Sequence, residues 1–368
     1  MSAQGKVMGI KETRRGGAQQ KLWAFASLIV LVAGFSLASP NFFQVSNIMA
    51  ILQATSVNGV LAVGVTLIII TGGIDLSIGT LMTFCAVMTG VVLTWAGMPL
   101  LLGVLTSIAT GALCGLISGT FVAKMKIPPF IATLGMMLML KGLSLIVTGT
   151  KPIYFNDTPG FSEIAQGSLI GRIVPAFPVP NGVLILFIVS AAVAWILGRT
   201  VLGRYTFALG SNEEAVRLSG VNTDAWKMAI YALAGGICGI AGLLIASRLN
   251  SAQPALGLGY ELEAIAAVVI GGTSLAGGRG TILGTLIGAL IMSVLTNGLR
   301  VMSVAPEWQT VVTGAIIVAY CMYGGMRGAM LTDVLQGGLM VLTAVVTFIV
   351  SVRAIRIARA RCLPRRFR

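Results

Sequence analysis

The sequence predicts an all-α polytopic membrane protein with about ten transmembrane helices. Three observations predict it. The chain is 56% hydrophobic and only 10% charged over 368 residues, where soluble domains carry roughly 25% charged residues. Apolar runs of about the length that spans a bilayer recur along it. Its 47 glycines suit membrane helices, which use glycine more than soluble ones do.

The elements follow in order. Residues 1–21 carry Lys6, Lys11, Arg14, Arg15 and Lys21 and read as a cytoplasmic amino-terminal segment, since basic residues collect inside. The apolar run 22–38 resembles a signal peptide, but no A-x-A-like site follows it and many more apolar runs do, so it reads as the first span. Further spans are expected near 48–70, 80–96, 99–123, 129–148, 182–198, 228–247, 261–275, 281–299 and 309–325. With the amino terminus inside, Lys124, Lys126, Arg199, Arg204, Arg217, Lys227 and Arg279 all fall in inside loops. The less basic loop 149–181 then falls outside. A further apolar stretch, 330–352, is an eleventh candidate.

Composition also excludes functions. Histidine is absent, so no imidazole can serve a catalytic pair, a proton relay or a metal site; no catalytic residue and no metal ligand is expected. The net charge of +14 fits the inside loops better than a nucleic-acid surface, because no basic domain with stacking aromatics accompanies it. Of five cysteines, Cys85, Cys114, Cys238 and Cys321 lie in apolar runs and Cys362 in the tail, with no C-x-x-C pair. The first four read as buried small hydrophobes.

Two glycine-rich stretches interrupt the apolar pattern. T-G-G-I-D-L-S-I-G at 71–79 places Asp75 within membrane-like sequence, and G-G-T-S-L-A-G-G-R-G at 271–280 matches it weakly. Unwound backbone at membrane depth lines a cavity or is buried in protein, and an acid there marks function by default. Asn58, Thr71, Asp75, Ser77, Thr273 and Ser274 are therefore the candidates for a substrate pathway. Asp75 has a structural alternative, accepting backbone N–H bonds at the start of the next helix, and Lys141 is its candidate charge partner. Neither stretch is a phosphate loop, since no G-K-[ST] follows the glycines. Elsewhere, G-A-L-C-G-L-I-S-G sets Gly111, Gly115 and Gly119 on one helical face, as does the pair Gly235 and Gly239, a spacing that lets helices approach closely in lipid.

The loop 199–227 is the most informative soluble stretch. Asn212 can cap a short helix, Glu213 and Glu214 suit its first turn, and Gly220 ends it. Such a helix is either a connector or a docking element for a cytoplasmic partner.

These stretches, together with P-P-F-I-A-T-L-G-M-M at 128–137 and S-A-Q-P-A-L-G-L-G-Y-E-L-E at 251–263, closely resemble the membrane permeases of bacterial ABC importers for ribose and other monosaccharides. The resemblance covers residues 20–320. It implies a transport subunit that is not itself an enzyme, in the inner membrane, working as a homodimer. It implies a cytoplasmic ATPase partner that holds ATP and magnesium, no cofactor on this chain, and a periplasmic sugar-binding protein. It also implies that Asn212, Glu213, Glu214, Ala215, Arg217, Leu218 and Gly220 form the ATPase coupling segment of a permease domain spanning 22–325.

Residues 326–368 depart from that pattern. The stretch 320–342 resembles a sodium/solute symporter fragment, and the tail ends in seven arginines between Arg353 and Arg368. An ion-coupled secondary transporter and a non-transporting scaffold are the competing readings.

Overall fold

The computed structural model describes residues 24–174 and 178–325. The basic amino-terminal segment, the 330–352 stretch, the arginine tail and Cys362 lie outside the described residues. The chain divides into two units, Met1–Ile317 and Val318–Arg368; the first holds the helical bundle and the candidate site.

Among the described residues the architecture is all-α apart from one pair of two-residue strands. Helix α1 covers Ala24–Ala38. It is followed by α2 (Val45–Ile70), α3 (Ile78–Gly90, prolonged by a π-helical turn to Trp95), α4 (Leu100–Ala123) and α5 (Pro129–Thr148). Strand β1 (Ile153–Tyr154) and the short helices α6 (Glu163–Gln166) and α7 (Leu169–Ile173) precede α8 (Asn181–Arg199), α9 (Val201–Leu218) and α10 (Thr223–Leu249). Strand β2 (Ser251–Ala252), α11 (Tyr260–Ile270), α12 (Ile282–Val301) and α13 (Pro306–Gly325) complete it. Each of the ten expected spans falls on a helix. Seven helices among the described residues are long and apolar enough to cross a membrane: α2, α3 with its π turn, α4, α5, α8, α10 and α12.

One expected span needs correction. The apolar run 261–275 suggests a full crossing, but α11 has only 11 residues. At 1.5 Å per residue it reaches about 16 Å, half of a bilayer core about 30 Å thick. Glycines delimit it: Gly259 at its start and Gly272 after its end both adopt positive φ. The apolar residues beyond Ile270 belong to the turn, so hydropathy alone overstated its length.

Helices α2 and α10 form the centre. From Val57 to Ile70, α2 is buried on every side except at Asn58, the mark of a helix surrounded by protein rather than lipid. Helix α10 meets α4 through facing glycines: a Cβ on Gly235 would run into the Gly111 carbonyl, and one on Gly111 into that of Gly235. Ser107 of α4 donates to the Gly239 carbonyl of α10 at 2.8 Å. Thr66 of α2 and Thr285 of α12 share a buried hydrogen bond of 2.8 Å. The outer faces instead expose Leu105, Leu113, Leu138, Ile146, Phe187 and Ile188, apolar side chains suited to lipid. At the end of α10, β1 pairs antiparallel with β2, and Phe155 stacks on Phe161 with ring centroids 3.9 Å apart.

Gly235→Ala is expected to destabilise the protein by about 1–3 kcal/mol, the usual cost of overpacking, because the obstacle is backbone. Gly198→Ala, with open space around it, is the control and should leave thermal unfolding in detergent unchanged or raise it slightly, since alanine favours a helix over glycine by up to about 1 kcal/mol.

Candidate functional site

The two interruptions are built alike. Past the last residue of α2, the Gly73 and Gly72 amides donate to the Ile68 and Ile69 carbonyls at 3.1 and 2.9 Å. Past α11, the Thr273 and Gly272 amides donate to Val268 and Val269 at 3.1 and 2.9 Å. Both are Schellman closures, which need a left-handed residue after the C-cap; Gly72 and Gly272 provide it with φ of 80° and 89°. The sequence match sets Gly72-Gly73 against Gly271-Gly272. The structure shifts this register by one, so that Gly272 answers Gly72. The neighbouring glycines serve packing instead, Gly73 against the Tyr231 hydroxyl and Gly271 against the Gly284 carbonyl.

The first break is tied to its surroundings by side chains. Asp75 is buried, and its Oδ1 accepts from the Ser77 amide at 2.8 Å and the Ser77 hydroxyl at 2.6 Å. This is a local turn just ahead of α3 rather than a cap on its first amides. Thr133 of α5 sits beside both neighbours of Asp75: its hydroxyl accepts from the Leu76 amide at 3.1 Å and lies 3.2 Å from the Ile74 carbonyl, while the Pro129 carbonyl of its own helix is the nearer acceptor at 2.9 Å. The Asp75–Lys141 ion pair expected from the sequence is not formed. Thr133, the α5 residue at the break, is eight residues from Lys141, about 12 Å along a helix. Lys141 instead lines a crevice with Thr80, Thr83, Ser144 and Gly257.

The breaks meet each other. The Gly278 amide donates to the Ile70 carbonyl, the last of α2, at 2.8 Å. A third partner enters here. A Cβ on Gly210 of α9 would collide with the Ile70 carbonyl and the Gly278 amide. One on Gly277 would lie 2.8 Å from the Gly210 carbonyl and 2.9 Å from the Gly72 amide. Three backbones thus converge where only glycine fits. Thr273 lies at this junction, its methyl against Gly280, and its hydroxyl is buried without a partner. The Ser274 amide donates to the Arg279 carbonyl at 3.0 Å and closes the second loop. Thr71 bonds back to the Ile68 carbonyl at 2.7 Å.

The coupling segment begins two residues after Gly210. Asn212 leaves helical geometry, with ψ of 95°, and its Oδ1 accepts from the Ala215 amide at 3.0 Å. It caps a separate turn that ends before Gly220 (φ 83°). Lys227 of α10 pairs with Glu213 at 2.6 Å, Arg217 with Glu214 at 2.8 Å, and the Tyr205 and Trp226 rings lie 4.8 Å apart. The segment is therefore held against the start of α10. Leu218 at its end is 79% exposed.

Asn58 stands apart from the other pathway candidates, 13 residues before Thr71 in α2, or about 20 Å along the axis. Its Nδ2 donates to Glu263 of α11 at 2.7 Å. Glu263 is absent from the candidates drawn from sequence, although it carries the signal that singles out Asp75: an acid in an apolar run. No cluster of groups suited to a metal occurs among the described residues.

Known proteins resemble the chain over most of its length. The family model described as "branched-chain amino acid transport system / permease component" matches residues 47–321. The chain is 46% identical over 297 residues to the ribose import permease protein of Escherichia coli (strain K12), covering 79% of this chain and 89% of the relative. It is 41% identical over 305 residues to the ribose import permease protein of Bacillus subtilis (strain 168), covering 82% and 92%. It is 37% identical over 295 residues to the fructose import permease protein of Rhizobium meliloti, covering 79% and 81%. No solved structure matches the chain.

Asp75→Ala is expected to cost about 1–3 kcal/mol through the buried Ser77 amide and hydroxyl it leaves unpaired. Asp75→Asn, which keeps an acceptor, should cost less than half of that. Thermal unfolding of the two variants side by side checks the order. Gly210→Ala should lower the unfolding temperature more than Asp75→Asn, because its new methyl group meets only backbone.

Proposed function

The chain belongs to the branched-chain amino acid transport system / permease component family, and from that premise we propose that it is the transmembrane subunit of an ABC importer for a ribose-like monosaccharide. Similarity to sugar import permeases over about four fifths of the chain carries this reading. Two copies form the pathway in a bacterial inner membrane, with the amino terminus cytoplasmic. A cytoplasmic ATPase binds ATP and magnesium, and a periplasmic binding protein delivers the sugar. The chain itself transports and does not hydrolyse.

The segment Asn212–Gly220 docks on the ATPase. Its Asn212 cap, its internal Glu214–Arg217 pair and its tie from Glu213 to Lys227 give it one shape, and Leu218 gives it an apolar contact. Closure of the ATPase pair moves this segment. Gly210, two residues away, passes the movement to the ends of α2 and α11 through backbone rather than flexible side chains. Thr71, Asp75, Ser77, Thr273 and Ser274 then reposition around the pathway. A ligand shifts such an equilibrium only by binding one state better than the other, so the pathway holds the sugar weakly.

Two measurements test this. In reconstituted vesicles, ribose uptake should require ATP, the ATPase and the binding protein together; uptake driven by a sodium gradient alone would overturn the reading. Leu218→Asp should reduce co-purified ATPase about tenfold or more, the cost of losing an interface anchor worth at least about 1.4 kcal/mol, without changing thermal unfolding of the permease. Charge reversal at Glu213 is a poorer probe, because Glu213 holds Lys227 within the same chain.

A further inference from the structure

The transport cycle gives no role yet to Lys141. Helix α5 has 20 residues, about the 30 Å of a bilayer core. Lys141 lies seven residues before its end at Thr148, about 10 Å deep. It is partly exposed. Among the described residues no hydrogen bond or ion pair holds its ammonium group. Cations within spans face a water-filled cavity or pair with another group.

A stretch of chain without helix lies beside it. Residues 253–259 join β2 to α11. A Cβ on Gly257 would meet the Gly79 carbonyl and the Thr83 hydroxyl of α3. Met82, next to Thr83, faces Gly242, seven residues before the end of α10. Gly257 is therefore also about 10 Å deep. Along this turn the Leu256 amide donates to the Gln253 carbonyl and the Gly259 amide to Glu261. The amides of Ala255, Gly257 and Leu258 and the carbonyls of residues 254–258 have no partner among the described residues. Gln253, Ala255, Leu258 and Gly259 are exposed.

Lys141 and this turn line the same crevice, with Ala255, Gly257 and Leu258 on one side of it. The crevice is too tight to hold water, and its hydroxyls are already used. Thr80, Thr83 and Ser144 donate to the Ser77, Gly79 and Leu140 carbonyls. The unsatisfied part is the rim, where the ammonium group and the open turn face outward. Lipid cannot surround it, because non-helical backbone at membrane depth must be buried in protein or line a water-filled cavity. A second copy would have to offer Lys141 an acid at that depth. Of the acids in the membrane-like stretches, Asp75 and Glu261 are buried and Glu263 is held by Asn58. Water satisfies both the ammonium group and the backbone.

We propose that Lys141 and the turn 253–259 form a wall of the aqueous path along which the sugar crosses, on the outer side of the Asp75 break. Free backbone amides and carbonyls offer donors and acceptors in turn, which suits the hydroxyl groups of a passing sugar. The wall rests on the reading of the chain as a sugar importer subunit and adds where the path runs.

The test uses the full complex with its ATPase and binding protein in vesicles. Ala255→Cys, Leu258→Cys and Lys141→Cys are made one at a time, with Cys321→Ser and Cys362→Ser as background; Cys85, Cys114 and Cys238 are buried. Ile188→Cys is the control, seven residues into α8 at a matching depth and 68% exposed. The probe is a methanethiosulfonate carrying a quaternary ammonium group, which reaches thiols only through water. Its reaction rate is measured with and without ATP. The three wall positions should react about tenfold or more faster than Ile188→Cys in at least one state, because the thiolate is the nucleophile and apolar surroundings suppress it. Modified Ala255→Cys should then lose ribose uptake about fivefold, while ATP turnover stays within about twofold. Rates matching the control in both states, or uptake untouched by modification, would overturn the proposal. If the parent complex moved no ribose, fructose or galactose with ATP, the sugar-importer reading would fail instead, while the order of reaction rates would still decide where water enters.

Discussion

The hydrogen bond from the Gly278 amide to the Ile70 carbonyl is the contact on which the rest of this structure depends. A helix that stops within a membrane leaves its last carbonyls without water to satisfy them, and each orphan there costs several kcal/mol. The Schellman closures satisfy two carbonyls at each break. The last carbonyl of α2 remains, and a residue 208 positions later satisfies it. Because it joins backbone to backbone, this contact cannot be relocated by a change of rotamer. The two breaks are consequently one structural object.

That object explains why glycine gathers where it does. Gly72 and Gly272 are needed for their left-handed backbone. Gly210 and Gly277 are needed because neighbouring main chains come too near for any side chain. The same logic operates between α4 and α10, where Gly111 and Gly235 bring two helices into contact. Without a hydrophobic drive between helices in lipid, close packing and interhelical hydrogen bonds supply the association. The Ser107 and Thr66 bonds complement the glycine faces in that role. Close backbone contact at the centre and apolar exposure outside make one frame, in which α9, the end of α2 and the loop after α11 meet main chain to main chain.

Much of this was legible in the sequence. Apolar runs marked the helices, the glycine-rich stretches marked both breaks, and the Asn212 cap and Gly220 stop were read correctly, because each is a local rule of backbone chemistry. The misreadings concern distance and register. Hydropathy counted the turn beyond Ile270 as helix. The Gly-Gly repeat was aligned one residue out, because a sequence does not say which of two glycines holds the positive φ. The Asp75–Lys141 pairing assumed that two intramembrane charges seek each other, but Ser77 lay two residues away and Lys141 more than two helical turns from the break. Glu263 went unremarked because glycines drew attention to the breaks, while its partner Asn58 lies in a distant helix.

The long separation between Ile70 and Gly278 also bears on how the protein is made. Chains emerge from the ribosome at about 5–20 residues per second, so α2 waits roughly 10–40 s before its last carbonyl can find its amide. β1 likewise waits for β2, nearly one hundred residues later. Helix α2, the most enclosed helix of the finished protein, is thus inserted early and surrounded late. During that interval its end must rest against water, lipid headgroups or the insertion machinery. The protein's most buried region is therefore among the last to reach its final state during biogenesis.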